Sequence, residues 1–180
     1  MKLLKPFRIL WQRLTQQGIR TTFWWAMDHA LRILTGAPIA RVGQITPQLY
    51  VGGQYRRRGW RRLELRGVTA VVNMRIEFDD AAAGIAPERY LYLPTVDDAA
   101  PSLEHLRSGA AFIADEIQRG GVVYIHCGSG IGRAATMAAA YLVSTGLTAE
   151  EAWDRIRLGR PFVRPTPPQI EQLKRFAAQA

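Results

Sequence analysis

Cysteine occurs once in the 180 residues, at Cys127, inside the run HCGSGIGRA that spans 126–134. Gly128, Gly130 and Gly132 follow it, and then Arg133. Glycines so spaced let the backbone curl with its N–H groups inward, and a helix starting near Gly132 aims its positive end at the same point. The result is an anion cradle whose dipoles stabilise a thiolate at its entrance. Arg133 can close over the loop and grip two phosphoryl oxygens with its planar fork, a geometry that lysine cannot reproduce. These parts suit phosphoryl transfer to sulfur, with Gly128, Ser129, Gly130, Ile131, Gly132 and Arg133 as the phosphate-binding residues. The departing oxygen then needs a proton, and a carboxylic acid can supply it. Asp97 and Asp98, in PTVDDAAP, are the two candidates.

Such a site needs a scaffold, and the apolar runs supply one. QLYVG (48–52), TAVVNM (69–74), YLYLP (90–94) and VVYIH (122–126) read as strands. They alternate with helical stretches, which predicts an α/β fold. Ser102 can cap a helix carrying Leu103, Leu106, Ala110, Ile113 and Ile117 on one face, and TAEE at 148–151 is a capping box opening another. The length and the 48% hydrophobic content suit one core. A solitary cysteine cannot form an internal disulfide, and a usable thiol needs a reducing compartment, so the expected location is cytoplasmic. No apolar run is long enough to span a bilayer.

The net charge of +9 is concentrated at the front: residues 1–62 carry twelve Lys or Arg against one acid, Asp28. Two amphipathic segments lie there. One has Leu3, Leu4, Phe7, Leu10, Trp11 and Leu14 on a face opposite Lys5, Arg8, Gln12 and Arg13, and the other aligns Phe23, Trp24, Met27, Leu31 and Leu34. Residues 1–40 are read as a basic helical extension and 41–180 as the catalytic domain. An anionic membrane surface is the partner this extension suits, giving a protein peripheral to a membrane. The alternative is that the helices fold back and bury those faces. Nucleic acid is not the expected partner.

HCGSGIGR matches the His-Cys-x5-Arg signature and resembles the cysteine-dependent tyrosine and dual-specificity phosphatases. The likeness runs roughly from Ile45 to Phe176 and includes ITPQLYVGGQ, PTVDDAAP and VRPTPPQIEQL. The chain looks more like the compact dual-specificity group than the larger tyrosine-specific members, and that group includes the mitochondrial phosphatidylglycerophosphate phosphatases, which share similar TVD, VYxHC and ATMxAAYL segments. This resemblance implies a single phosphatase domain with a central mixed sheet flanked by helices. It also implies hydrolysis of phosphomonoesters through a cysteinyl-phosphate, with no metal or cofactor. Cys127 is then the nucleophile. Pro94-Thr-Val-Asp97 fits the family's acid spacing, whereas Asp98, three before Pro101, fits another variant of it. His126 would hydrogen-bond the loop and tune the thiolate. Gln169 would position the hydrolytic water, or else be an exposed residue opening the last helix. Arg75 either adds positive potential or is a surface arginine, and RRRGWRR reads as a solvated helix face.

One departure stands out. The family usually carries Ser or Thr after the arginine, bonded to the cysteine sulfur, and this chain has Ala134. Loss of a bond worth about 1.5–3 kcal/mol would slow thiolate departure roughly tenfold to a hundredfold. A phosphorylated protein is the expected substrate, and a phospholipid is the alternative. Ile131 and the lack of a loop lysine argue against a heavily phosphorylated inositol head group.

Overall fold

The computed structural model describes residues 4–39 and 42–179; within the first helix the side chains of Leu4–Leu10, Gln12 and Arg13 lie outside the description. Five strands form: β1 (Gln44–Thr46), β2 (Leu49–Gly53), β3 (Ala70–Arg75), β4 (Arg89–Thr95) and β5 (Val123–Cys127). β1 is only three residues long and its register against β2 shifts, so it shows no alternation to read in the sequence. The order across the sheet is β1-β2-β5-β3-β4, with β1 antiparallel to β2 and the remaining pairs parallel, which makes the sheet mixed. β5 is central and buried throughout, as its unbroken apolar run requires. Its last residue is Cys127, so the sheet delivers the thiol at the carboxyl ends of its parallel strands, where ligand sites of open α/β sheets lie.

Helices cover both faces. α1 (Leu4–Thr35) precedes the sheet, and α2 (Arg57–Glu64) packs Leu63 with Tyr50, Tyr55, Val71 and Tyr124 on one side. α3 (Leu103–Gln118), α4 (Arg133–Ser144), α5 (Ala149–Gly159) and α6 (Pro167–Ala177) cover the other and build the larger core. α4 is buried from Arg133 to Val143, and its run of alanines lets neighbours approach closely. Ser102 Oγ accepts from His105 N (3.0 Å) to cap α3, and Thr148 with Glu151 forms the reciprocal box on α5. In α2 the arginines are exposed, while Gly59 touches the end of α1: a Cβ there would sit 2.0 Å from Gly36 O.

α1 is two helical segments joined at Gly18, whose φ of 78° and ψ of 166° are not helical. The expected face of Leu3, Leu4, Phe7 and Leu10, with Lys5, Arg8, Gln12 and Arg13 opposite, lies outside the described residues and side chains. Beyond it, Trp11, Ile19, Phe23 and Leu34 are well exposed, and what α1 buries instead is Thr22 and Asp28. Among the described residues, no helix is long and apolar enough to cross a membrane.

Candidate active site

Between β5 and α4 the chain runs through Gly128 to Gly132, and the fate of each carbonyl there explains its shape. Gly128 O accepts from Gln54 N (3.2 Å) and Arg32 Nη1. Ser129 O and Gly130 O accept from Arg160 Nη2 (2.8 Å) and Nε (2.6 Å). Ile131 O accepts from Arg164 N (2.8 Å), and Gly132 O from Thr136 N (2.9 Å). With the carbonyls engaged by the surroundings, the amides are free to converge on an anion. Gly130 adopts φ 68° with its Cα against Gly52, where a side chain would strike backbone. Gly130 N donates to Cys127 Sγ (3.2 Å), and the thiol is 3% exposed.

Arg160 is wholly buried and holds the loop from beneath. It also donates to Val42 O (2.6 Å) and pairs with buried Asp28 of α1 (3.2 Å). Through Asp28 and Arg32, α1 thus reaches the loop, and a boundary at residue 40 cuts across those contacts.

Arg133, 1% exposed, is clamped by the chain around it. Glu77 accepts from its Nη1 and Nη2, both at 2.9 Å, and Thr95 O accepts from Nη1 (2.7 Å). Arg133 Nε is buried and has no partner among the described residues, which leaves it available for a phosphoryl oxygen. The bond from Arg133, reinforced by Arg75, holds the Glu77 carboxyl well below its usual range, at about 2. Asp97 Oδ1 lies 2.7 Å from Arg133 Nη2, although its side chain is 77% exposed. Asp98 lines the same pocket of about 520 Å³. It takes φ 62°, alone among the described non-glycine residues, and its carbonyl accepts from Thr166 Oγ1 (2.9 Å). Aspartate tolerates this left-handed turn better than most residues.

Residues 49–179 match the family described as dual specificity phosphatase, catalytic domain. The chain belongs to this family. Dual specificity protein phosphatase 14 of Mus musculus is 30% identical over 138 residues, covering 76% of this chain and 69% of that protein. Protein phosphatase Slingshot homolog 3 of Rattus norvegicus is also 30% identical over 140 residues, and there the match spans only 21% of the longer protein. The crystal structure of PTPMT1 in complex with PI(5)P superposes with a TM-score of 0.69 at 31% identity, covering 75% of this chain and 93% of that one.

Within this dual-specificity phosphatase domain, three residues behave differently from the sequence expectation. His126 does not bond the loop through its ring: Nε2 pairs with Asp80 Oδ2 (2.7 Å), both side chains fully buried, and the ring lies among Tyr55 and Tyr124. Gln169 is not exposed but wholly buried, and both ends of its amide are engaged. Oε1 accepts from Thr166 N (3.0 Å) and Nε2 donates to Ala99 O (2.9 Å), so it braces the Asp97–Asp98 loop against α6. It also lies against the cradle, since a Cβ on Gly132 would come 2.9 Å from Oε1. Arg75 is not a loose surface group, because Nε donates to Glu77 Oε1 and Nη1 to Gln54 Oε1, each at 2.9 Å.

The sequence reading missed Glu77, Asp80, Gln54, Asp28 and Arg160. Asp80 Oδ1 accepts from Gln54 Nε2 (2.8 Å), which completes a relay His126–Asp80–Gln54–Arg75–Glu77–Arg133 joining both ends of the signature outside the loop. Ala134 is fully buried at the start of α4 and has no hydroxyl to offer the sulfur.

Proposed function

We propose that the chain hydrolyses phosphomonoesters of phosphorylated proteins, on tyrosine or with dual specificity, through a cysteinyl-phosphate. The observation that carries this reading is a buried cysteine beneath a loop whose carbonyls are tied outward, with Asp97 in ion-pair contact with Arg133. The Cys127 thiolate attacks phosphorus. The loop amides and the Arg133 fork stabilise the charge that spreads over the equatorial oxygens. Asp97 protonates the leaving oxygen as its bond to phosphorus breaks, then takes a proton from the water that attacks the phosphocysteine and releases phosphate and thiolate. Asp98 supplies the turn that sets Asp97 in place, and Gln169, which lines the same pocket, holds the loop and keeps a second amide N–H for the attacking water. Purified full-length protein should release phosphate from phosphotyrosine peptides, and Cys127→Ser should release none. Hydrolysis surviving in a clean Cys127→Ser preparation would end this reading.

A second reading, a phospholipid phosphatase working at a membrane surface, rests on α1. Trp11, Phe23 and Leu34 are exposed on a basic segment, and tryptophan with cationic neighbours favours an anionic lipid interface. The likeness to PTPMT1, solved with PI(5)P, supports the same class of substrate. Faster turnover of phosphatidylglycerophosphate in anionic vesicles than of any phosphopeptide would decide for it. A protein that ignores such vesicles at low salt would decide against it.

A further inference from the structure

Across Gly128 and Ser129 from the catalytic pocket lies a second concavity, of about 450 Å³. α1 contributes His29 and Arg32 to it, and the domain contributes Gln54, Arg56 and Arg75. We propose that this concavity is a second anion subsite, which takes a phosphate ester carried on the same substrate molecule as the phosphomonoester that Cys127 attacks.

Charge makes the first argument. Three arginines line the space, and the acids bonded to its lining are already committed: Glu77 is shared between Arg75 and Arg133, and Asp80 pairs with His126. Asp28, the acid on the adjoining turn of α1, is committed to Arg160. Positive charge is therefore in excess, and Arg32 Nε is buried with no partner among the described residues.

Donor geometry makes the second. Arg32 Nη2 lies 3.0 Å from His29 Nδ1, and since arginine can only donate, that nitrogen accepts and the imidazole proton sits on Nε2. Burial, followed by the charge of Arg32, holds His29 below the usual imidazole range, in keeping with a neutral ring that donates. Arginine forks with an imidazole N–H suit the tetrahedral oxygens of a phosphate ester.

Placement makes the third. Both concavities are lined by Gly128 and Ser129, so they are separated by the width of a two-residue segment. At about 3.3–3.6 Å per residue, that segment sets a separation on the order of 7 Å. One small molecule with two phosphates on a bridge of about five atoms can span this, and the second contact raises the local concentration of the first.

The inference rests on the phosphatase reading only for which group enters the loop, so the test uses binding rather than turnover. In full-length Cys127→Ser, calorimetry compares 1,5-pentanediol bisphosphate with pentyl monophosphate. The bisphosphate should bind at least about tenfold more tightly. The same comparison in Cys127→Ser with Arg56→Ala, and with Arg56→Glu, should show that advantage lost while monophosphate affinity is unchanged. Equal affinities in the parent protein, or an advantage kept in both Arg56 variants, would overturn the subsite. Turnover of an aryl monophosphate by the unaltered protein is read separately, and its absence counts against the phosphatase reading alone.

Discussion

The two walls of the catalytic pocket are held in opposite ways. In the cradle each carbonyl from Gly128 to Gly132 has a donor, and the side chains behind it, Arg160, Arg133, His126 and Asp80, are at most 1% exposed. The facing loop has Val96, Asp97 and Asp98 exposed, and it is fastened through the carbonyls of Asp98 and Ala99 to Thr166 and Gln169 of the last helix start. The difference suits the role proposed for each wall. Charge stabilisation gains from dipoles fixed before the reaction begins. A proton donor must meet leaving groups of different shape and then let product out.

The most severe way to break the contrast is at the sulfur. Cys127→Ser should abolish phosphate release while vanadate still binds, because the cradle is held by arginines and not by the thiol. Calorimetry with vanadate checks this, and a variant that neither turns over nor binds would mean that Cys127 also organises the loop. On the opposite wall, Asp97→Asn should lower kcat by about 10²–10³-fold for substrates with poor leaving groups. Asp98→Asn should cost far less. If the larger loss follows Asp98 instead, the acid role moves to it.

Arg160→Met attacks the cradle from beneath. It frees two loop carbonyls and strands the Asp28 carboxylate, a change expected to cost about 3–5 kcal/mol of stability and roughly a hundredfold in kcat. Thermal melts and kinetics on a soluble aryl phosphate measure the two effects separately, and an unchanged kcat would show that the loop holds its shape without the arginine.

Glu77→Gln probes the clamp on Arg133 and should lower kcat/KM about tenfold, roughly the loss of one to two kcal/mol of charge-assisted bonding. The sign of its pH dependence is fixed by the depressed carboxyl. Its contribution is complete above the ordinary value of 4.5 and fades as pH falls toward 2, so an acidic limb that lies above 4.5 should be unaltered in the variant. Displacement of that limb by the substitution would assign the titration to Glu77. The smallest expected effect is Ala134→Ser, a rise of up to about tenfold in kcat for substrates with good leaving groups. No rise would show that the amide of Gly130 already suffices for the departing thiolate.

What could be read from the chain alone was local. The loop and the TAEE box each fit within nine residues, and the four longer strands announce themselves as apolar runs. The supports of the site are long-range pairings between residue types that ordinarily sit on a surface. Glu77 is 56 positions from Arg133, and Asp80 is 46 from His126. Arg160 follows the last turn of α5, where a basic residue ordinarily means a helix end facing water. Gln169 misleads for a related reason: Thr-Pro-Pro-Gln spells a helix start correctly, but only packing reveals that Gly132 and Ala99 close over the amide.

The pairing of Asp28 with Arg160 spans 132 positions. The arginine that ties the carbonyls of Ser129 and Gly130 follows them by 31 and 30 positions, while its own acidic partner lies far back in α1. Contacts so distant in sequence close late, because loop entropy opposes them until the rest of the fold has formed. A chain cut before Arg160 therefore carries the complete signature without the side chain that holds the cradle from beneath.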